Sequence, residues 1–490
     1  TALPPEGLGP EPEVPVPTEW PMPEPKGTYM RGSIADFMPD PLTPLFASVG
    51  VPAISGAMAR TLGELIGGNP SLLEGYLTTI NNYAYLHVQL GCGDWLWVLF
   101  RMVPALPRLL RNGERHWDEV ARPRYAETVA RWQERPVDSL AATELLDGTQ
   151  ELVDAMASYL TALQVDAIGT AAGTEGLFTR IYDKMIKREG DPEAPVLLLG
   201  SDSTPIRAEK ALYDLAQWCR ERDEVGAYLL ETPSSELAEQ LAGSETPPGI
   251  GATNWREWQS RFRAHLEEYG HSIYDLDFAK PLPMDEPLPL METLKLLIRG
   301  GGKDPHTRQQ ESAERREQGV REALARTRGL KRWLFRHALG WAQTFARVRE
   351  DCIFDIGLGY PVVRRMLREL GRRLAEGGAV AEPDDVFWLA WDEAQRGAAA
   401  VDGDETPENM VARVEERKAV WEAEKQATPP PQLPPNERVM GIKTDAFMPV
   451  SAEEQTGEAI KGIGASPGQV TGPARVLLGP EDFHQMRPGD

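Results

Sequence analysis

The stretch "LKRWLFRHALGWAQTFARVRED", residues 330–351, decides the class of this chain. Leu334, Ala338, Trp341, Phe345 and Val348 recur at steps of four and three, a spacing that lines one face of a helix. Charged side chains fill much of the rest. The same grammar extends in both directions. "YPVVRRMLRELGRRLAEGG" (360–378) reads as a partner helix stopped by Gly377-Gly378. "TELLDGTQELVDAMASYLTALQ" (143–164) and "STPIRAEKALYDLAQWCRERDE" (203–224) read likewise, the second capped by Ser203 or Thr204 with Pro205 in its first turn. Strand signals in the body are few, and "PVLLLG" (195–200) is ambiguous. No internal repeat is evident. The chain is expected to be mainly α.

Composition narrows the function classes. The chain has 490 residues, enough for two to four domains, with 41% hydrophobic and 26% charged residues, as in soluble globular proteins. Its formal charge of -23 repels nucleic acid and anionic membranes, so neither is an expected partner. Cys92, Cys219 and Cys352 lie far apart without a CxxC pair, which argues against a disulfide scaffold or a structural zinc site and for a reducing, cytoplasmic compartment. The N-terminal residues lack the pattern of a signal peptide. "WLWVLFRMVPALPRLL" (95–110) is broken by Arg101, Pro104 and Pro107 and reads as a buried helix rather than a bilayer span.

Two proline clusters divide the chain. Residues 1–27 carry prolines at high density with Glu between them, an extended linker composition. A second cluster, "ATPPPQLPPNE" (427–437), lies in a linker expected over 426–459. Between them, 28–425 is the helical body. The tail, "KGIGASPGQVTGPARVLLGPEDFHQMRPGD" (461–490), switches to glycine turns around short apolar runs. It reads as the opening of a β-containing domain over 460–490, and Pro488-Gly489-Asp490 promises a further strand. Both ends are therefore expected to adjoin further domains.

Nucleotide loops are tempting and fail on spacing. Gly462, Gly464 and Gly468 do not give a dinucleotide fingerprint, and "LIRGGGKDP" (297–305) has Leu297 and Asp304 where a phosphate loop needs Gly and Ser or Thr. Gly300 to Gly302 read as a helix end and loop. His265 and His271 are six apart, the wrong interval for a zinc pair on one helix. Three local features remain. "YMRGSIADFMPDPLTPLFASVG" (29–50) sets Pro39, Pro41 and Pro44 among Phe37, Met38, Leu42, Leu45 and Phe46. So much apolar surface on a rigid loop either plugs the helical body, the commoner case, or walls a ligand. Arg349 continues the face of Trp341 and Phe345 and needs an acceptor: Asp351, Asp355, another helix, or negative charge in a pocket. In "YGHSIYDLD" (269–277), His271, Asp275 and Asp277 either tie down a helix end or form a polar wall that supplies a general base.

The tail resembles the start of the swivelling phosphohistidine domain of the phosphoenolpyruvate-utilising enzymes. In that family a Gly-Gly-x-x-Ser-His motif follows, and its histidine carries the phosphoryl group. None of the seven histidines here, at 87, 116, 265, 271, 306, 337 and 484, stands in such a motif. Thr1-Ala2-Leu3-Pro4 resembles the residues that follow the family's ATP-grasp domain. "RGSIADFMPDPLTPLF", "HLEEYGHSIYDLDFAKPLPMDEP" and "PDDVFWLAWDE" are similar to segments of the rifampin phosphotransferase subgroup, with Ser272 where that group has Arg and Asp275 where it has Glu.

The resemblance implies a helical acceptor-binding domain followed by the first part of a swivelling domain. It implies an acceptor pocket formed by Arg31, Met38, Pro39, Pro41, Leu42, Pro44, Phe46, Tyr83 and Asp275. Arg349 would stabilise charge there and His271 is a candidate base. The implied reaction takes ATP, a small-molecule acceptor and water to AMP, phosphate and phosphorylated acceptor. ATP and magnesium would bind at an ATP-grasp domain, in cis or in trans, and this chain would bind no cofactor and be inactive alone. Phosphoenolpyruvate synthase-like activity on pyruvate, or a non-catalytic helical scaffold, are the alternatives.

Overall fold

The computed structural model describes residues 14–22, 27–66, 75–88, 100, 114–434, 438–439 and 442–443. The apolar run at 95–110, apart from residue 100, and the expected β opening at 460–490 lie outside the described residues. Fourteen α-helices occur among the described residues: α1 Pro44–Ile66, α2 Arg122–Gln133, α3 Ala142–Leu163, α4 Gly169–Met185, α5 Thr204–Arg220, α6 Asp223–Glu231, α7 Ser234–Ala242, α8 Ala252–Tyr269, α9 Leu288–Ile298, α10 Pro305–Arg326, α11 Gly329–Asp355, α12 Tyr360–Glu376, α13 Trp391–Asp402 and α14 Val411–Lys425. The mainly helical class is as expected. The described residues form two compact units, the first within 14–170, 273–280 and 356–443, the second within 171–272 and 281–355.

In the first unit α3 is the central helix and packs against α1, α2, α12 and α13. Its apolar residues fall on more than one face: Leu145, Leu146, Leu152, Val153, Met156, Tyr159 and Leu160 are all buried. Gly148 permits the closest approach. A Cβ there would lie 2.3 Å from the Met366 terminal methyl and 2.7 Å from the Trp132 ring, so the neighbouring helices could not pack as they do. Over Pro44–Glu64, α1 is long and apolar enough to cross a membrane, yet half of that stretch is buried within the protein. Leu45, Phe46, Val49, Ile54 and Met58 are the buried side chains that account for its hydrophobicity.

The same unit holds a four-stranded antiparallel sheet that the sequence reading did not foresee. Its strands are β1 Thr28–Met30, β2 Leu77–Ile80, β3 Tyr83–Val88 and β4 Gln432–Leu433, in the order β2-β3-β1-β4. The β2–β3 hairpin closes through Asn81 and Asn82, with φ of 46° and 56°. Two consecutive left-handed residues make the turn whose twist matches paired strands, and asparagine tolerates that conformation better than other side chains. A short pair, Arg438–Val439 with Ile442–Lys443, follows.

Described parts of both proline-rich stretches pack on this unit. Trp20 packs on Tyr83 at a centroid distance of 5.8 Å. Residues 430–433 lie along β1: Arg31 N–H donates to Pro431 O at 3.0 Å, and Leu433 joins Tyr29, Ile80, Tyr83 and Tyr85 in one apolar cluster. Proline cannot donate to a ladder, but its carbonyl accepts, so a proline-rich segment can still serve as an edge strand.

In the second unit α5 is the hub, in contact with α6, α8, α9, α10 and α11. Trp255, Trp258, Phe262, Leu212, Leu215 and Cys219 fill one apolar cluster. Phe178, Tyr182, Phe335, Ala338 and Ala342 fill another. Ser203 precedes α5 as expected but its side chain makes no cap; the Asp351 carboxylate of α11 does, accepting from Thr204 N–H at 2.7 Å and Thr204 Oγ1 at 2.8 Å. "PVLLLG" resolves into a 3-10 turn, Ala194–Leu198. Gly300 and Gly302 have φ of 85° and 79°, in keeping with a helix end after Ile298.

Candidate functional site

The proline-rich loop at 37–44 is held from four directions within the first unit. From the strand side, Arg31 is 5% exposed and donates through Nη2 to Met38 O and Pro39 O, each at 3.1 Å, with its guanidinium 4.8 Å from the Tyr83 ring centre. From the hairpin, Asn82 O accepts from Leu42 N–H at 2.9 Å. From α14, Trp421 Nε1 donates to Pro41 O at 2.6 Å. From the 273–280 segment, Asp277 accepts from Thr43 N–H at 2.6 Å and Thr43 Oγ1 at 2.8 Å. All of these bonds except the one from Thr43 Oγ1 meet a backbone group that the prolines leave without a regular ladder, which is why so irregular a segment can be ordered.

The loop's apolar side chains point into the protein. Met38 and Phe46 are completely buried, and Leu42, Leu45 and Pro41 are buried too. Phe46 meets Phe278 edge-on at 4.9 Å, and Phe278 lies 5.5 Å from Tyr360. This surface therefore plugs the helical unit, the first of the two alternatives offered by the sequence. Pro39 is exposed and Pro44 half-buried at the start of α1. Tyr83 is buried, and its hydroxyl donates to Glu424 O at 2.9 Å.

The polar rim of the loop comes from the 273–280 segment. Asp275 is 3% exposed and accepts from Asp277 N–H at 2.9 Å. Burial, reinforced by the charge of Asp277, raises its carboxyl to about 7. Burial also pushes Asp277 up, opposed by its bonds from Ala279 N–H and Thr43. Lys280 forms an ion pair with Asp40 of the loop and sits 5.1 Å from the Trp421 ring centre. Burial pulls its ammonium down, but the Asp40 hydrogen bond and nearby carboxylates outweigh that and raise it. Tyr274, next to Asp275, is about half exposed. Two buried groups on α12 fix the segment's backbone: Tyr360 donates to Leu276 O at 2.7 Å, and Arg364 donates to Phe278 O and, at 2.9 Å, to Lys280 O.

Nine of the sequence-predicted residues thus fall in the first unit: Arg31, Met38, Pro39, Pro41, Leu42, Pro44, Phe46, Tyr83 and Asp275. His271 and Arg349 fall in the second. The buried stripe of α11 runs through Phe335, Ala338, Leu339, Ala342, Phe345, Val348 and Cys352, while Leu334 and Trp341 are only half-buried, so the stripe is rotated from its expected centre. Arg349 lies at its edge, 38% exposed, and its acceptor is the adjacent Glu350 at 2.9 Å. The His271 ring meets Phe354 edge-on at 4.7 Å. Asp40, Lys280 and Trp421 were not singled out from sequence. Among the described residues, no group of three His, Cys, Asp or Glu could hold a metal ion.

Residues 167–350 match the model of the rifampicin phosphotransferase fourth domain. Over that stretch the chain is similar to the rifampicin phosphotransferases. It is 22% identical over 467 residues to the uncharacterized phosphotransferase YvkC of Bacillus subtilis, covering 92% of this chain and 52% of that protein. It is 26% identical over 311 residues to a rifampicin phosphotransferase of Streptomyces sviceus, covering 61% of this chain and 33% of the relative. A third relative, an uncharacterized protein of Mycobacterium tuberculosis, is 33% identical over 129 residues, 26% of this chain and 13% of that protein. The chain thus spans about half of the first relative's length and a third of the second's.

Proposed function

We propose that this chain is the acceptor-binding portion of an ATP-dependent, dikinase-type phosphotransferase, and that the rim of Pro39, Asp40, Tyr274, Asp275 and Lys280 meets the acceptor. The overall reaction converts ATP, acceptor and water to AMP, phosphate and phosphorylated acceptor, through a phosphohistidine supplied from outside the chain. In the transfer step the acceptor oxygen forms a bond to phosphorus as the histidine nitrogen–phosphorus bond breaks. Asp275, as carboxylate, takes the acceptor's hydroxyl proton. A base titrating near 7 suits that task, because about half of it is ionised at neutral pH and it is still basic enough to accept the proton. The Lys280 ammonium offsets the charge on the transferred group, the role the sequence suggested for Arg349. ATP and magnesium bind elsewhere in the assembly, and phosphoryl transfer then relies on positioning and charge neutralisation.

One observation carries this reading: a carboxyl raised to about 7 beside an ammonium, on a rim fixed by four elements, in a rifampicin phosphotransferase-like chain. The test uses the full-length polypeptide that contains this chain. AMP release from ATP is followed against a panel of hydroxyl acceptors, and the productive one is used for variants. Asp275→Asn should lower turnover by about 100-fold or more, typical of losing a general base. Acceptor affinity should change far less. Unchanged turnover in that variant would remove Asp275 from the mechanism.

A further inference from the structure

The outer face of α11 carries features that the acceptor site does not use. Trp333 is 53% exposed and Leu330 70% exposed, where most large apolar side chains of this unit are buried. Trp333, His337 and Trp341 form a row one turn apart, with centroid distances of 4.4 Å and 6.2 Å. Gly329, Arg332, Trp333, Arg336 and His337 line a concavity of about 400 Å³, within the range of small-ligand sites. Among the described residues no carboxylate lies within ion-pair distance of Arg332 or Arg336. His337 Nδ1 lies 2.9 Å from Trp333 O and therefore donates to it, which leaves Nε2 available to a ligand.

Gly340 adds an independent sign. It lies on the same helical face, seven residues after Trp333, and a Cβ there would meet nothing within 4 Å. No packing demands a glycine, and glycine inside a helix is unfavourable by about 1 kcal/mol relative to alanine. The missing side chain leaves open space on that face of the helix.

We propose that this face of α11 binds a small organic anion carrying a flat ring, of the nucleotide class. The ring stacks on Trp333, because every nucleobase offers a π-face to an indole. The phosphates meet Arg332 and Arg336, four residues apart on one flank, since guanidinium matches phosphate geometry in bidentate fashion. The size of the concavity favours one nucleotide. The strong overall negative charge disfavours a polyanion such as RNA.

The test is calorimetric titration of the 490-residue chain with ADP, adenosine and inorganic phosphate, at low and at high salt. ADP should bind at least tenfold tighter than either part, with affinity falling as salt rises. Trp333→Ala and Arg336→Ala, both at exposed positions, should each weaken ADP binding at least fivefold without changing the melting temperature. Gly340→Ala should raise the melting temperature, and Gly340→Leu should weaken ADP binding. ADP binding no tighter than phosphate, or binding that both Trp333→Ala and Arg336→Ala leave intact, would overturn the proposal.

Discussion

Replacing Asp275 by Asn should stabilise the protein, increasingly so as pH rises. In the folded chain burial holds the Asp275 carboxyl at about 7, against 3.8 for the free side chain. The folded state thus binds a proton more tightly than the unfolded state between those values. Stability is lost as pH rises from about 4 to about 7 and changes little above, where both states are ionised. A shift of roughly three units at about 1.4 kcal/mol each gives a ceiling of about 4 kcal/mol at pH 8. Asp277 and Lys280 readjust with the charge, so the expected gain is nearer 2 kcal/mol. Asn keeps an oxygen to accept from Asp277 N–H, so the backbone of the segment need not move. Urea titrations of wild type and Asp275→Asn at pH 5, 6, 7 and 8, at constant ionic strength, measure the gap. It should widen by a little over 1 kcal/mol between pH 5 and about pH 7 and level off above that. A gap that is flat across this range, or a variant less stable at pH 8, would refute the assignment of a buried, costly carboxylate. Paired with lost turnover in the full-length enzyme, the stabilised variant would mark Asp275 as a residue kept for chemistry at the expense of stability.

Three further changes probe the surrounding frame. Thr43→Val removes the hydroxyl that donates to buried Asp277 and should cost about 2 kcal/mol in the same titration. Gly371→Ala would set a Cβ 1.9 Å from Pro383 O, so α12 and the following turn must separate; a loss of about 3 kcal/mol and a matching fall in melting temperature are expected. Asn82→Val forces a β-branched residue to φ of 56° and deletes the 2.7 Å bond to Glu424; it should cost about 2 kcal/mol, and protection of hairpin amides from hydrogen exchange should fall with it.

The helices were legible because their signals are local. Gly377-Gly378 ends α12 as read, and α3 and α5 begin and end within a few residues of their sequence limits. The β2–β3 hairpin escaped because Tyr83, Ala84 and Tyr85 are all buried, which erases the alternation that marks a half-exposed strand. The Asn81-Asn82 pair was the available clue. Around the site, composition singled out the proline loop, whose apolar load has to be buried somewhere. It could not supply the partners: Asp277 reaches Thr43 across 234 positions, and Trp421 reaches Pro41 across 380. Arg349 shows the limit of periodicity. A shift of a fraction of a turn moves a side chain from the centre of a buried stripe to its edge, where Glu350 can pair with it.

The first unit draws residues 273–280 from the middle of the second unit's sequence. During synthesis this imposes a delay. Thr43 and Phe46 leave the ribosome long before Asp277 and Phe278, their eventual partners. At roughly 5 to 20 residues per second, the interval is on the order of 10 to 50 seconds. Through that time the proline loop and the start of α1 hold their apolar side chains without the segment that covers them. A nascent chain in this state is a substrate for chaperones, and a fragment ending near residue 272 would stay in it permanently. Such a fragment should aggregate on expression, even though it contains every residue of the loop itself.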